Sequence, residues 1–230
     1  VLHIATDNKS HRRLLTHFYL FVKALDPVAQ RESLRLVRNY LHYRQPVFCA
    51  CLRAVQALET EGGGSFSTMH VRRGDFQYKN VKLPAEDILR DIRDVLQEGE
   101  LVYVATDEQG RDFFAPLAAH YRLRFLRDVQ SVLRLEELGN PNLIGMVEQI
   151  LASRGRTFTG TWFSTFTGYI TRLRGYYGFN KTTSYYYWAK KKLQMHGPDY
   201  PVGKITSVFA REWPVAWKWK DLELEAKMMS

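Results

Sequence analysis

The sequence predicts an α/β protein built on a doubly wound, Rossmann-like parallel sheet preceded by helices, and two observations carry that expectation. From Phe66 onward, short apolar runs alternate with stretches of helical period, joined by short connections, as repeated βα units with right-handed crossovers require. One of those runs, Leu101-Val102-Tyr103-Val104-Ala105, is almost continuously apolar, the pattern of a parallel strand covered on both faces. A chain of 230 residues can bury a full core and suits one domain, or one domain with appendages.

Taken in order, residues 11–25 carry Leu14, Leu15, Phe18, Phe21, Val22 and Leu25 at helical spacing and stop at Asp26-Pro27. Residues 28–43 read as a second helix, with Leu34, Val37 and Leu41 on its apolar face and arginines opposite. Pro46 opens a third that runs to Leu58. Residues 59–65, with Gly62-Gly63-Gly64, form a loop before the sheet, or a hinge. The first strand is expected over 66–71, and Pro84-Ala85-Glu86-Asp87 opens a helix to about Leu96. The apolar run at 101–105 ends in Thr106-Asp107-Glu108; a helix over 109–121 leads to a short strand at 123–126 ending in Arg127-Asp128. A helix over 142–153, a strand over 157–159 and a helix over 164–174 complete the alternation. From Tyr176 the chain is rich in Tyr, Trp, Lys and Pro without a sustained period, which predicts irregular structure over the surface and a short final helix. The organisation read from this is a helical segment over 1–65, a Rossmann-like lobe over 66–180 and an aromatic, basic extension over 181–230.

A formal charge of +9 favours anionic partners: a nucleotide diphosphate, nucleic acid, an anionic membrane or an acidic protein surface. Cys49 and Cys51 sit two apart in a helical stretch, where their side chains diverge, so neither a disulfide framework nor a metal site follows. No apolar run is long enough to cross a bilayer, and no signal-like start is present. The chain begins at Val1 rather than a methionine, as a processed chain or a fragment does. Asn8-Lys9-Ser10 and Asn180-Lys181-Thr182 match the N-glycosylation pattern, which matters only in a secretory compartment.

In a parallel sheet the carboxyl ends of the strands gather on one edge, where ligands bind. That edge would hold Arg72-Arg73-Gly74-Asp75, Thr106-Asp107-Glu108, Arg127-Asp128 and Gly160-Thr161-Trp162-Phe163-Ser164-Thr165. Two adjacent guanidiniums can hold a diphosphate through paired hydrogen bonds, while Gly74 lets the backbone turn. The same residues also read as an Arg-Asp pair tying off a strand. The start of the helix at Ser164-Thr165 presents hydroxyls and unpaired backbone N–H groups, an anion site or simply a capped helix. Glu148, among apolar neighbours, can accept the paired N–H groups of a guanine, or be a solvated helix charge. There is no Asp-x-Asp, no His/Cys cluster with metal spacing, no GxGxxG or P-loop and no Gly-x-Ser-x-Gly elbow. A bound diphosphate would thus be neutralised by arginine rather than by a divalent cation. Lys190-Lys191-Lys192 and nearby aromatics raise a nucleic-acid reading, but no RNP, KH or zinc pattern supports it, and none is expected.

Four segments together resemble the GDP-fucose protein O-fucosyltransferase family, particularly its plant and algal branch. They are His70-Val71-Arg72-Arg73-Gly74-Asp75-Phe76-Gln77, Val104-Ala105-Thr106-Asp107-Glu108, Ala152-Ser153-Arg154-Gly155-Arg156, and Phe158-Thr159-Gly160-Thr161-Trp162-Phe163-Ser164-Thr165-Phe166. The resemblance covers about residues 10–180. It implies a GT-B architecture, of which this chain looks like the C-terminal, donor-binding lobe. It implies that His70 and Arg72 contact GDP, with Arg72 clamping the β-phosphate as the leaving group departs. Thr165 and Phe166 match the pair that contacts phosphate and nucleotide. Glu148 falls where the family usually has an aspartate that grips guanine, and the extra methylene moves that charge. The candidate donor site is therefore His70, Arg72, Arg73, Asp75, Glu148, Ser164, Thr165 and Phe166, with Arg72 as catalytic residue and no metal or other cofactor.

The reaction so implied is inverting, metal-independent transfer of fucose from GDP-fucose to a hydroxyl of a protein or glycan acceptor. The family suggests the secretory pathway. About 60 residues of helix before the Arg-Arg turn are too few for a second Rossmann lobe. The lobe that carries the first glycine-rich motif and much of the acceptor site is expected to lie outside these 230 residues, which alone would transfer fucose slowly or not at all. The alternative is an enzyme-derived structural subunit of a larger assembly, in an organelle such as the mitochondrion. The aspartate-to-glutamate change, the basic surface and the aromatic tail from Tyr185-Tyr186-Tyr187-Trp188 support it.

Overall fold

Side chains alternate across each strand, and that alternation divides the molecule into layers. A computed structural model describes residues 43–75, 79–162, 164–188 and 191–194, together with Val28 and Tyr40. Its strands are β1 (Ser67–Val71), β2 (Leu101–Thr106), β3 (Arg122–Phe125), β4 (Phe158–Thr161), β5 (Ser184–Trp188) and β6 (Lys191–Gln194). They form one sheet in the order β3-β2-β1-β4-β5-β6. The first five are parallel, and β6 is antiparallel to β5. The α-helices are α1 (Gln45–Glu61), α2 (Ala85–Ile92), α3 (Ala115–Ala118), α4 (Leu126–Leu133), α5 (Ile144–Ser153) and α6 (Thr165–Tyr176).

Leu101, Tyr103, Phe158 and Tyr186 point to one face, where Ala54 and Leu58 of α1, Val129 and Leu133 of α4, Val147 and Ile150 of α5, and Ile170 of α6 cover them. Met69, Val71, Val102, Val104 and Tyr187 point to the other, against Ile88 and Ile92 of α2, Phe114, and Leu117 of α3. The crossovers from β1 to β2 and β3 therefore use one face, and those to β4 and β5 use the opposite one. The change of side falls between β1 and β4, the switch point at which such sheets open a crevice beyond the strand ends. This is the Rossmann-like doubly wound sheet that the βα alternation predicts.

Local chemistry explains most boundaries. Pro46 stands in the first turn of α1, and Glu86 and Asp87 stand in the first turn of α2, where the helix dipole favours negative charge. The Phe125 N–H donates to Asp128 Oδ2 (2.8 Å), so the strand β3 passes directly into α4, a helix not foreseen from sequence. Arg134, at φ 52°, ends it in the left-handed region. The single helix expected over 109–121 is instead a 3₁₀ turn, Arg111–Phe114, followed by the one-turn α3, with Pro116 in its first turn. The largest difference is the tail. Irregular structure is expected from Tyr176, whereas Ser184–Trp188 is the fifth parallel strand and Lys191–Gln194 the antiparallel edge. Adjacent Tyr186 and Tyr187 are 0% and 1% exposed on opposite faces, so the aromatic run is a two-sided buried strand rather than a surface wrap. The helices expected over 11–25 and 28–43 lie outside the described residues, except Val28 and Tyr40, which are both helical and exposed.

Candidate active site

The candidate residues are assembled by the ends of β1, β2 and β4 and by the start of α6. β1 delivers His70, which is buried, with Nδ1 2.7 Å from Thr167 Oγ1 and the ring stacked on Phe166 at 4.6 Å between centroids. Burial pushes the imidazole down to about 3, outweighing the nearby Asp107 charge, so His70 is neutral at physiological pH. α6 approaches this closely because Gly160 has no side chain: a Cβ there would stand 2.8 Å from Thr167 Oγ1. Ser164 caps α6, accepting from the Thr167 N–H at 3.5 Å, and Thr165 is exposed in the first turn.

Beyond β1 the chain turns around one carboxylate. Asp107, just past β2, accepts from the Arg72 guanidinium, the Arg73 N–H (2.6 Å) and the Gly74 N–H (2.9 Å). A Cβ on Gly74 would lie 2.5 Å from Asp107 Oδ2, so only glycine lets the turn close on this side chain. Arg72 also donates to the Asp75 carbonyl (2.9 Å), and its side chain is 36% exposed. Asp75 itself is exposed at the rim.

The two arginine side chains part. Just past the end of β1 they go to opposite faces of the sheet. Arg72 stays with His70 and Asp107. Arg73 passes to the α2–α3 side, where Nε donates to Glu108 (3.0 Å), a terminal nitrogen donates to the Leu83 carbonyl (2.8 Å), and the guanidinium lies 4.0 Å over the Phe113 ring. The structure thus places the two guanidiniums of the expected diphosphate clamp in different surroundings, Arg72 on Asp107 and Arg73 on Glu108, Leu83 and Phe113.

Glu148, on α5, comes to the same edge from above β2. It is partly buried and accepts from the Tyr103 hydroxyl at 3.2 Å. Burial raises its pKa to about 7; the Tyr103 hydrogen bond opposes this and the Asp107 charge adds to it. Asp107, Thr167 and Tyr103, which contact Arg72, His70 and Glu148, lie outside the set expected from sequence. The end of β2 puts Asp107 on the edge that the sequence predicts; the facing of Thr167 and Tyr103 carries no local signal. Among the described residues, no group of three or more His, Cys, Asp or Glu comes together as metal ligands would, and no helix is long and apolar enough to cross a membrane.

The family model for GDP-fucose protein O-fucosyltransferase matches residues 3–177, about three quarters of the chain and all the elements that build this edge. The chain belongs to the GDP-fucose protein O-fucosyltransferase family. It is 26% identical over 168 residues to GDP-fucose protein O-fucosyltransferase 2 of Drosophila melanogaster, a match that covers 71% of this chain and 32% of that protein. The chain thus spans about a third of the relative's length. The family match stops at residue 177, before β5 and β6.

Proposed function

We propose that this edge binds GDP-fucose and that the chain is the donor-binding lobe of an inverting, metal-independent protein O-fucosyltransferase of GT-B architecture. The observation that carries the reading is Arg72, held by Asp107 at the switch point of a parallel sheet beside the N-terminus of α6. In this reading Arg72 presents its fork to the β-phosphate, and the α6 start contributes backbone N–H groups and its positive dipole end. As the sugar–phosphate bond loosens, negative charge collects on GDP. A guanidinium already fixed by a carboxylate stabilises that charge without reorganising. The acceptor hydroxyl enters on the sugar face opposite the departing phosphate, giving its proton to a base of the acceptor-side lobe as the new bond forms, which inverts the anomeric carbon. Phe166, backed by the stacked and buried His70 ring, forms a wall for the nucleotide, and Glu148 in its ionised form accepts the guanine N–H groups.

Titration calorimetry with GDP, with and without a chelator, tests the reading. Binding should persist in chelator, and Arg72→Lys should weaken it about tenfold although charge is kept, because an ammonium cannot reproduce the fork. Binding that requires magnesium, or that is indifferent to Arg72→Lys, would overturn the clamp. GDP release from GDP-fucose with candidate acceptors then tests transfer.

The second reading, a structural subunit derived from such an enzyme, is favoured by Glu148. A carboxyl that sits near neutrality and is engaged by Tyr103 is a poorer guanine grip than an ionised one. Absence of GDP binding at any pH would favour that reading.

A further inference from the structure

Tyr187 lies on β5, beyond the end of the family match, yet its hydroxyl reaches under the Arg72 turn. The reason is a gap in the sheet. β1 and β4 pair as far as His70 with Gly160 and then part, which ends their ladder just before Arg72. Two hydroxyls fill the gap. The Arg72 N–H donates to Thr161 Oγ1 (2.9 Å), and Thr161 Oγ1 lies 2.6 Å from the Tyr187 hydroxyl, which donates to the His70 carbonyl (3.0 Å). Thr161 and Tyr187 are register partners on β4 and β5, so they share a face. A single chain, from Arg72 N–H to the Thr161 hydroxyl, on to the Tyr187 hydroxyl and then the His70 carbonyl, uses each hydroxyl proton once and satisfies every group. Thr161 is 0% and Tyr187 1% exposed, so water cannot replace either link. On the other side of β1, the Thr106 hydroxyl donates to the Val71 carbonyl (2.7 Å). The peptides that carry Arg72 are therefore gripped from both flanks.

We propose that Tyr187 is a positioning residue for Arg72: it sets where the guanidinium stands by closing the hydroxyl chain beneath the peptide that bears it. The inference rests on Arg72 being the anion-binding group of the proposed donor site. It assigns a part in that site to a strand outside the segment by which the family is recognised.

Tyr187→Phe removes one link, but Thr161 Oγ1 is 3.2 Å from the His70 carbonyl and can close a shorter path. GDP should therefore bind about fivefold more weakly, whereas Thr161→Val, which strips the Arg72 N–H of its acceptor, should cost about tenfold, and Thr161→Ser should restore wild-type binding. In an Arg72→Ala background Tyr187→Phe should add nothing, since its effect passes through the missing side chain. A second arm needs no ligand. Amide exchange at Arg72 in the free protein should speed up about tenfold in Tyr187→Phe, while Tyr186→Phe, which faces the opposite layer, leaves it unchanged. Unchanged Arg72 exchange in Tyr187→Phe, an equal change in Tyr186→Phe, or a loss of affinity that persists in Arg72→Ala would overturn the proposal. Failure of the wild type to bind GDP would instead overturn the donor-site reading, and the exchange arm would still decide the role of Tyr187.

Discussion

Replacing Glu148 by glutamine should make this protein more stable relative to wild type as pH rises, by an amount the structure sets. The carboxyl is partly buried beside the Asp107 charge, with the Tyr103 hydroxyl as its hydrogen-bond donor, and its pKa stands at about 7 against an ordinary 4.5. A folded-state pKa above the unfolded one means that the native state holds the proton more tightly. The stability this group contributes is complete below about pH 4.5 and is lost as pH rises through 7. A shift of that size corresponds to about 3 kcal/mol between the two limits. Between about pH 5.5 and about pH 8.5 the group alone should lower wild-type stability by about 2 kcal/mol. Glutamine keeps an acceptor for Tyr103 and has no proton to lose, so it escapes this penalty. Urea unfolding of wild type and Glu148→Gln at both pH values isolates the effect, because other titrating groups are common to both proteins. A stability difference between the two that stays constant across this range would show that Glu148 is not held near neutrality by burial.

His70 should act with the opposite sign. Its folded pKa of about 3 lies below the ordinary 6.5, so its contribution is full above about pH 6.5 and is lost as pH falls toward 3. Wild type should lose about 2 kcal/mol from this group between about pH 7 and about pH 5, a loss that denaturant unfolding of His70→Gln should not show. Gly74→Ala should destabilise the fold by about 1–3 kcal/mol and so lower the melting temperature, because its methyl would displace the Asp107 carboxylate from the two backbone N–H groups of the turn. Calorimetric melting beside Gly168→Ala, where a Cβ meets nothing within 4 Å, separates that clash from a general glycine effect.

Local period and local chemistry account for everything legible along the chain. The βα alternation from Phe66, the parallel order of 66–71, 101–106, 122–126 and 157–160, and the placing of the Arg72, Asp107 and Ser164 segments on one edge all come from such signals. They survive in the folded protein because strand period, turn residues and helix caps act within a few residues of one another. Folding settles what depends on neighbours distant in the chain. It separated Arg72 from Arg73, two adjacent and chemically equal residues, by giving one Asp107 and the other Glu108 and Phe113. It moved one carboxyl, Glu148, and one imidazole, His70, in opposite directions from ordinary values, because burial is a property of the packed layers and not of the residue. And it turned 184–188 from an aromatic tail into an interior strand whose tyrosine hydroxyl fills a gap between β1 and β4. The partners of that hydroxyl, Thr161 and His70, lie 26 and 117 residues away, so no window along the chain contains the information.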